Sequence, residues 1–181
     1  FAAPTKDLTI LIAFNNAIKD NAAAYQDMTV TVNGSDLAAP IVTHLGTGVA
    51  FDATHSVYTV TIADKLTQNS AYTVTVEGAG YRTARYTVTM TADKTLNFWN
   101  NVKSAAAYIE EGVGTAKTSN FLAGDIVKDG KINVYDLSAV VSYFGTANAT
   151  DAVSPNAKYD LNRDGVIDSK DVAYVLVSWG E

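Results

Sequence analysis

Oxygen-bearing side chains recur at fixed spacing in two stretches near the carboxyl end. Asp125, Asp129, Asn133 and Asp136 occupy the first, fifth, ninth and twelfth places of one twelve-residue run, with Gly130 at the sixth. Asp160, Asn162, Asp164, Asp168 and Asp171 occupy the first, third, fifth, ninth and twelfth places of another, with Gly165 at the sixth. Alternate residues of a tightly curled loop point inward. A cage of such hard donors suits calcium, which takes about 6–8 oxygens at about 2.3–2.6 Å. The sixth-place glycine permits the sharp turn, and the seventh residue offers its main-chain carbonyl, so Lys131 and Val166 need no donor side chain. The expected ligands are therefore Asp125, Asp129, Lys131, Asn133 and Asp136 for one ion, and Asp160, Asn162, Asp164, Val166, Asp168 and Asp171 for a second. Val127 stands at the third place of the first run and has no donor, so a water fills the gap or coordination falls by one. Four carboxylates against three imply tighter binding in the second loop.

Other chemistry finds little support. The chain has no cysteine, which excludes disulfides and thiolate sites. Its two histidines, His44 and His55, have no carboxylate cluster of ligand spacing around them and read as ordinary surface or loop residues. There is no nucleophile elbow, phosphate-cradling glycine loop or zinc signature. From residue 121 onward nine acidic side chains face five basic ones, a formal charge of −4 that two calcium ions would cancel. Crowded carboxylates repel one another without a cation, so the metal-free form of this half should be loosened or unfolded.

Each loop leads into an apolar helical run, Leu137 to Phe144 before Gly145 and Val172 to Trp179 before Gly180. Asn133 and Asp168 suit the helix N-cap, each with an aspartate three residues on, and both glycines suit a left-handed helix end. Ile132 and Ile167, at the eighth place, should bridge the two loops in a short ladder. No long helix fits before either loop, because Gly124 precedes the first and Ser154-Pro155-Asn156 lies before the second. Leu137, Val140, Val141 and Phe144, with Val172, Val175, Leu176 and Trp179, are expected to form a small core between antiparallel helices. That leaves a stripe with few charges on each helix: Val134, Tyr135, Ser138, Ala139 and Ser142 on the first, and Ser169, Lys170, Ala173, Tyr174 and Val177 on the second. Such a flat face can accept a partner.

The first hundred residues follow another grammar. Met28 to Val32, Tyr58 to Ile62, Tyr72 to Val76 and Tyr86 to Met90 each alternate three apolar residues with two threonines, as strands do when one sheet face is buried. Leu8 to Phe14 reads as a more deeply buried strand. Ile41 to Phe51 and Thr95 to Trp99 are weaker candidates. Asn33-Gly34, Asn69-Ser70 and Gly78-Ala79-Gly80 mark turns. About seven such strands predict an antiparallel sandwich of immunoglobulin type, with threonines on solvated faces. The division expected is a sandwich at 1–103, a connector at 104–120 in which Ser104 to Glu111 forms a short helix or a polar return, and the loop–helix repeats at 121–181. Phe98, Trp99, Tyr108, Phe121 and Leu122 are candidates for a seam between the two parts. The 181 residues are 48% hydrophobic and 18% charged, a globular balance. No apolar run approaches the ~20 residues of a membrane span, so no membrane insertion is expected. A net charge of −6 argues against nucleic acid as a partner. The chain opens on Phe1 without Met and reads as a processed or excised fragment.

Residues 121–181 resemble a dockerin, the calcium-dependent module that binds cohesins in cellulosomes. The duplicated loop–helix (F-hand) unit, aspartate at the twelfth place, and the missing entering helices carry the likeness. The Gly124 to Asp129 run, with valine at the third place, resembles type II dockerins. An immunoglobulin-like module directly upstream resembles the X module that accompanies them. The resemblance implies an all-β sandwich followed by a small all-α dockerin holding two calcium ions. It also implies a non-catalytic role: anchoring a cellulosomal scaffoldin to a type II cohesin of a cell-surface anchoring scaffoldin, outside the cell. The cohesin contacts it implies lie at the two residues after each ninth-place ligand and along the same helix faces. Because Val134-Tyr135 opposes Ser169-Lys170, one binding orientation is expected. The X module is expected to buttress the dockerin. The competing reading is an extracellular adhesion or polysaccharide-binding sandwich with a structural calcium appendage. A hydrolase fragment lacks any catalytic constellation.

Overall fold

The computed structural model describes residues 3–13, 25–46, 48–53, 57–99, 121–147 and 155–180. Period-two alternation builds eight strands: β1 (Thr5–Ala13), β2 (Thr29–Asn33), β3 (Ile41–His44), β4 (Ala50–Asp52), β5 (Val57–Thr67), β6 (Ala71–Gly78), β7 (Tyr81–Thr89) and β8 (Lys94–Trp99). They form two four-stranded sheets, ordered β4-β5-β1-β8 and β3-β2-β6-β7. Leu8, Ile10 and Ile12 of β1, Tyr58, Val60 and Ile62 of β5, and Leu96 and Phe98 of β8 are buried from one sheet; Val30, Val32, Tyr72, Val74, Val76 and Val88 are buried from the other. Each fully buried aliphatic side chain contributes about 1.5–3 kcal/mol. The alternating threonines turn away from this core, and Thr73 and Thr87 meet across β6 and β7 through their hydroxyls at 3.2 Å.

The sandwich is not wholly antiparallel. β8 runs parallel to β1, with Leu8 opposite Lys94 and Ala13 opposite Trp99. β7 lies in one sheet and β8 in the other, so the chain crosses between layers instead of turning a hairpin. Alternation reports which face is buried and carries no strand direction. The expected strand from Ile41 to Phe51 divides into β3 and β4, each with its own partner.

The carboxyl-terminal part corrects the expectation of an all-α module. Its helices, α1 (Val134–Ser142) and α2 (Ser169–Val177), have nine residues each, and the rest of the described segment is loop, turn and isolated bridge. The loops dictate this. Their fourth residues, Lys128 and Arg163, both have φ of 60°, and Gly130 and Gly165 have φ of 81° and 91°, so no helix can run through them. Helices this short are marginal alone. A capping box holds each start: the Asn133 side chain accepts from Tyr135 N–H while Asp136 accepts from Asn133 N–H, and Asp168 and Asp171 repeat the arrangement. Gly145 and Gly180, with φ of 81° and 80°, end the turns that follow.

The two repeats interlock by exchange. Gly145 N–H donates to the Ile167 carbonyl at 2.8 Å, and Gly180 N–H donates to the Ile132 carbonyl at 2.9 Å. The expected Ile132–Ile167 ladder is replaced by this crossing and by a bridge between Ala147 and Val166. Both isoleucine side chains are fully buried. Val140 and Val175 are buried, with Leu137 and Val172 packed against the core. Val141, Phe144, Leu176 and Trp179, expected inside, are exposed. Val141 and Leu176 lie about 100° around the helix from their buried neighbours. Their expected places are supplied by Ile126, Tyr159, Leu161 and Tyr174, which come from the loops and the opposite face of α2.

The sandwich and the loop–helix part meet at the β6–β7 turn. Tyr81 bridges to Ala123, Arg82 N–H donates to the Leu122 carbonyl at 2.7 Å, and Gly124 N–H donates to the Gly80 carbonyl at 2.8 Å. Residues 122–124 thus add a short rung beside β7. The Tyr81 ring stacks on Phe121 at 4.8 Å, and its hydroxyl donates to the Leu161 carbonyl at 2.6 Å. Gly80, at φ +79°, permits the approach, since a Cβ there would strike the Lys158 carbonyl. Of the residues expected at this seam, Phe121 and Leu122 are there. Phe98 belongs to the sandwich core. Tyr108, the expected connector at 104–120 and His55 lie outside the described residues, as does the Trp99 side chain.

Candidate calcium loops and docking face

The two loops have the same wiring. In the first, Asp125 accepts from Asp129 N–H at 3.1 Å and Gly130 N–H at 3.2 Å. In the second, Asp160 accepts from Asp164 N–H at 3.1 Å and Gly165 N–H at 3.0 Å. The twelfth-place carboxylate closes each loop onto its own start. Asp136 accepts from Ile126 and Val127 N–H at 2.8 and 3.0 Å, and Asp171 from Leu161 and Asn162 N–H at 2.7 and 3.3 Å. Fifth-place Asp129 and Asp164 accept from the N–H of Lys131 and Val166, which turns those seventh-residue peptides.

Asp125, Asp136, Asp160, Asn162 and Asp171 are buried. Burial pushes the Asp171 carboxyl up to about 6, and it pushes Asp125 up as well. At Asp164 burial also acts upward, but hydrogen bonds from Lys170 and Asn162 outweigh it and hold the group below its ordinary range. Buried carboxyls raised in this way disfavour their charged form unless a cation compensates. Among the described residues, no three His, Cys, Asp or Glu side chains converge closely enough to hold a metal by themselves. The carboxylate oxygens accept from the loop N–H groups, and each expected donor set also includes an amide and a main-chain carbonyl. Oxygen-only donors on loops with these turns fit calcium and not a thiolate- or imidazole-seeking metal. Val127, at the third place of the first loop, is exposed.

The stripe expected to meet a partner is mostly at the surface. Val134, Tyr135, Ser138 and Ser142 of α1 and Ser169, Lys170, Ala173 and Val177 of α2 are exposed, with Tyr135 at 69% and Val177 at 67%. Ala139 is half-buried against the core. Tyr174 is only 9% exposed and belongs inside, which removes it from the face. Val141 and Leu176, expected in the core, are exposed on the same stripe as Ser138 and Ser142, and as Ala173 and Val177. Their i+3 spacing from Ser138 and Ala173 was the available signal. Lys170 is tied to Asp164 at 2.6 Å, so the one charge on the α2 stripe stands beside the second loop.

The repeats, caps and loops define a duplicated loop–helix module built for oxygen-ligated cations. Residues 123–176 match the family described as Dockerin type I domain, and the chain carries a dockerin module. The whole chain is similar to a chain in the crystal structure of a C-terminal interface mutant of a type II cohesin–X-dockerin complex from Acetivibrio cellulolyticus. There the identity is 25% and the TM-score 0.57, over 98% of this chain and 97% of that one. An N-terminal interface mutant of the type II complex from the same organism gives 24% identity and a TM-score of 0.55, with the same coverage. Sandwich and dockerin together have the architecture of an X module–dockerin dyad. No curated protein sequence matches the chain.

Proposed function

We propose that this dyad is a calcium-dependent anchor that binds a cohesin, with a type II cohesin as the preferred partner. It would tie a cellulosomal scaffoldin to an anchoring scaffoldin at the cell surface. The dyad divides into an X module over 1–103, a connector over 104–120 and a dockerin over 121–181. The observation that carries the reading is the exposed, charge-poor surface made by equivalent residues of α1 and α2, held in place by two identically wired loops. Its members are Val134, Tyr135, Ser138, Val141 and Ser142, with Ser169, Lys170, Ala173, Leu176 and Val177.

One calcium ion binds in each loop. Asp125, Asp129, Asn133, Asp136 and the Lys131 carbonyl hold the first. Asp160, Asn162, Asp164, Asp168, Asp171 and the Val166 carbonyl hold the second. Calcium neutralises the carboxylates and thereby fixes the helices that follow them. The second loop, with four carboxylates, fills before the first. Val134-Tyr135 and Ser169-Lys170 differ in chemistry, so the two half-turn orientations on a partner are unequal and one prevails. The dyad acts by holding, outside the cell, and no helix among its described residues is long and apolar enough to cross a membrane.

The deciding experiment is calorimetry of the chain against type I, type II and type III cohesins, each with calcium and with excess chelator. The expected result is binding to a type II cohesin that chelator abolishes. Binding that survives complete removal of calcium, or none to any cohesin, refutes the proposal.

A further inference from the structure

The fourth residue of a calcium loop is not a ligand, yet here it is basic in both repeats and reaches the same turn of the sandwich. Lys128 donates its ammonium to the Gly78 carbonyl at 2.7 Å and to the Tyr81 carbonyl. Arg163, whose side chain is 2% exposed, donates to Asp27 at 2.9 Å, to the Ala79 carbonyl at 3.1 Å and to the Ala157 carbonyl. Asp27 also accepts from Ala79 N–H at 2.9 Å, so it holds the turn and the arginine together. Both basic residues have φ of 60°, a left-handed backbone that side-chain-bearing residues rarely adopt. Their neighbours Asp129 and Gly130, and Asp164 and Gly165, are the ones that donate to Asp125 and Asp160.

We infer that Lys128 and Arg163 are latches through which the β6–β7 turn positions the two loops for calcium, each loop by its own contact. The inference rests on the calcium reading above and adds how the loops are set. A loop held curled by an outside grip needs less ordering when the ion arrives, so the sandwich raises calcium affinity. The two grips differ in kind. The second loop is held by an ion pair whose arginine is buried, so losing the carboxylate leaves an uncompensated charge inside. The first is held by an ammonium on two carbonyls. Loss of Asp27 should therefore weaken the second loop more than the first, which it reaches only through the shared turn, and loss of the Lys128 ammonium should weaken the first loop more than the second.

The test follows calcium site by site in the full chain. The amide resonances of Gly130 and Gly165 report the two loops during titration with calcium in competition with a chelator of known affinity. Asp27→Asn should weaken calcium at Gly165 about tenfold, equivalent to about 1.4 kcal/mol. The change at Gly130 should be clearly smaller, because Lys128 keeps its own two carbonyls. Lys128→Met should weaken calcium at Gly130 more than at Gly165. Equal changes at both glycines, or none at either, would overturn the latches. If Asp27→Asn disturbs the amide resonances of β2 and β6, Lys128→Met decides alone, since its side chain lies outside the sandwich core. Should neither glycine respond to calcium in the unaltered chain, the calcium reading fails and the latches fail with it. A calcium response without loop selectivity overturns the latches only.

Discussion

Tyr81 ties the sandwich to the second loop, and its removal can be sized from its surroundings. The side chain is 1% exposed, its ring lies on Phe121 at 4.8 Å, and its hydroxyl meets the Leu161 carbonyl at 2.6 Å. Truncating a buried aromatic to alanine costs about 3–5 kcal/mol. Within that, a buried carbonyl stripped of its donor accounts for about 1–3 kcal/mol. Tyr81→Phe keeps the stack and loses only the hydrogen bond, so it should cost about 1–2 kcal/mol, and Tyr81→Ala about 4 kcal/mol. With a urea slope of about 2 kcal/mol/M, the midpoint should fall by about 0.5–1 M for the first and about 2 M for the second. The assay is equilibrium unfolding of the calcium-loaded chain by far-ultraviolet circular dichroism and tryptophan fluorescence. Trp99 ends β8 and Trp179 follows α2, so fluorescence samples both parts. The two probes should shift together, because the seam joins the parts. A loss below about 1 kcal/mol for Tyr81→Ala, or equal losses for both variants, would refute the role given to the stacked ring.

Other outcomes follow from the same contacts. Gly80→Ala should destabilise by more than about 2 kcal/mol in thermal unfolding, since a Cβ there strikes the Lys158 carbonyl; Gly145→Ala, at nearly the same φ but with open space around it, should cost only about 1–2 kcal/mol. Tyr135→Ala and Val177→Asp should each weaken cohesin binding at least about tenfold in calorimetry while leaving the melting temperature nearly unchanged, because both side chains are exposed. Tyr174→Ala should act the other way round, lowering the melting temperature by several degrees through a lost core contact. Chelation should abolish the near-ultraviolet signal of the dockerin part and retain the β-sheet signal of the sandwich, as spectra recorded across a calcium titration would show.

What could be read from the sequence was whatever leaves a periodic or fixed-spacing trace. The alternation in Tyr58 to Ile62 and Tyr72 to Val76 located β5 and β6 because every second side chain must enter the core. The capping boxes at Asn133 and Asp168 were legible because they need only short side chains three residues apart. The direction of β8 was not, since alternation has no polarity. The all-α expectation rested on the resemblance alone; the residues themselves marked helix only after each loop, where α1 and α2 lie. Val141 and Leu176 were assigned to the core because two neighbouring apolar stripes look alike until the rest of the core is known. Ile126, Leu161 and Tyr159 came from segments with no helical period. Lys128 and Arg163 carried no signal, because an interaction between parts some fifty to eighty positions distant leaves no local pattern.

The rung formed by residues 122–124 beside β7 also bears on how tension travels through this molecule. A pull entering at the sandwich and resisted at the helices need not pass along the covalent path through 100–120. It crosses directly from Tyr81 and Arg82 to Leu122 and Ala123. The rung thus gives the molecule a second, non-covalent route for load between sheets and helices.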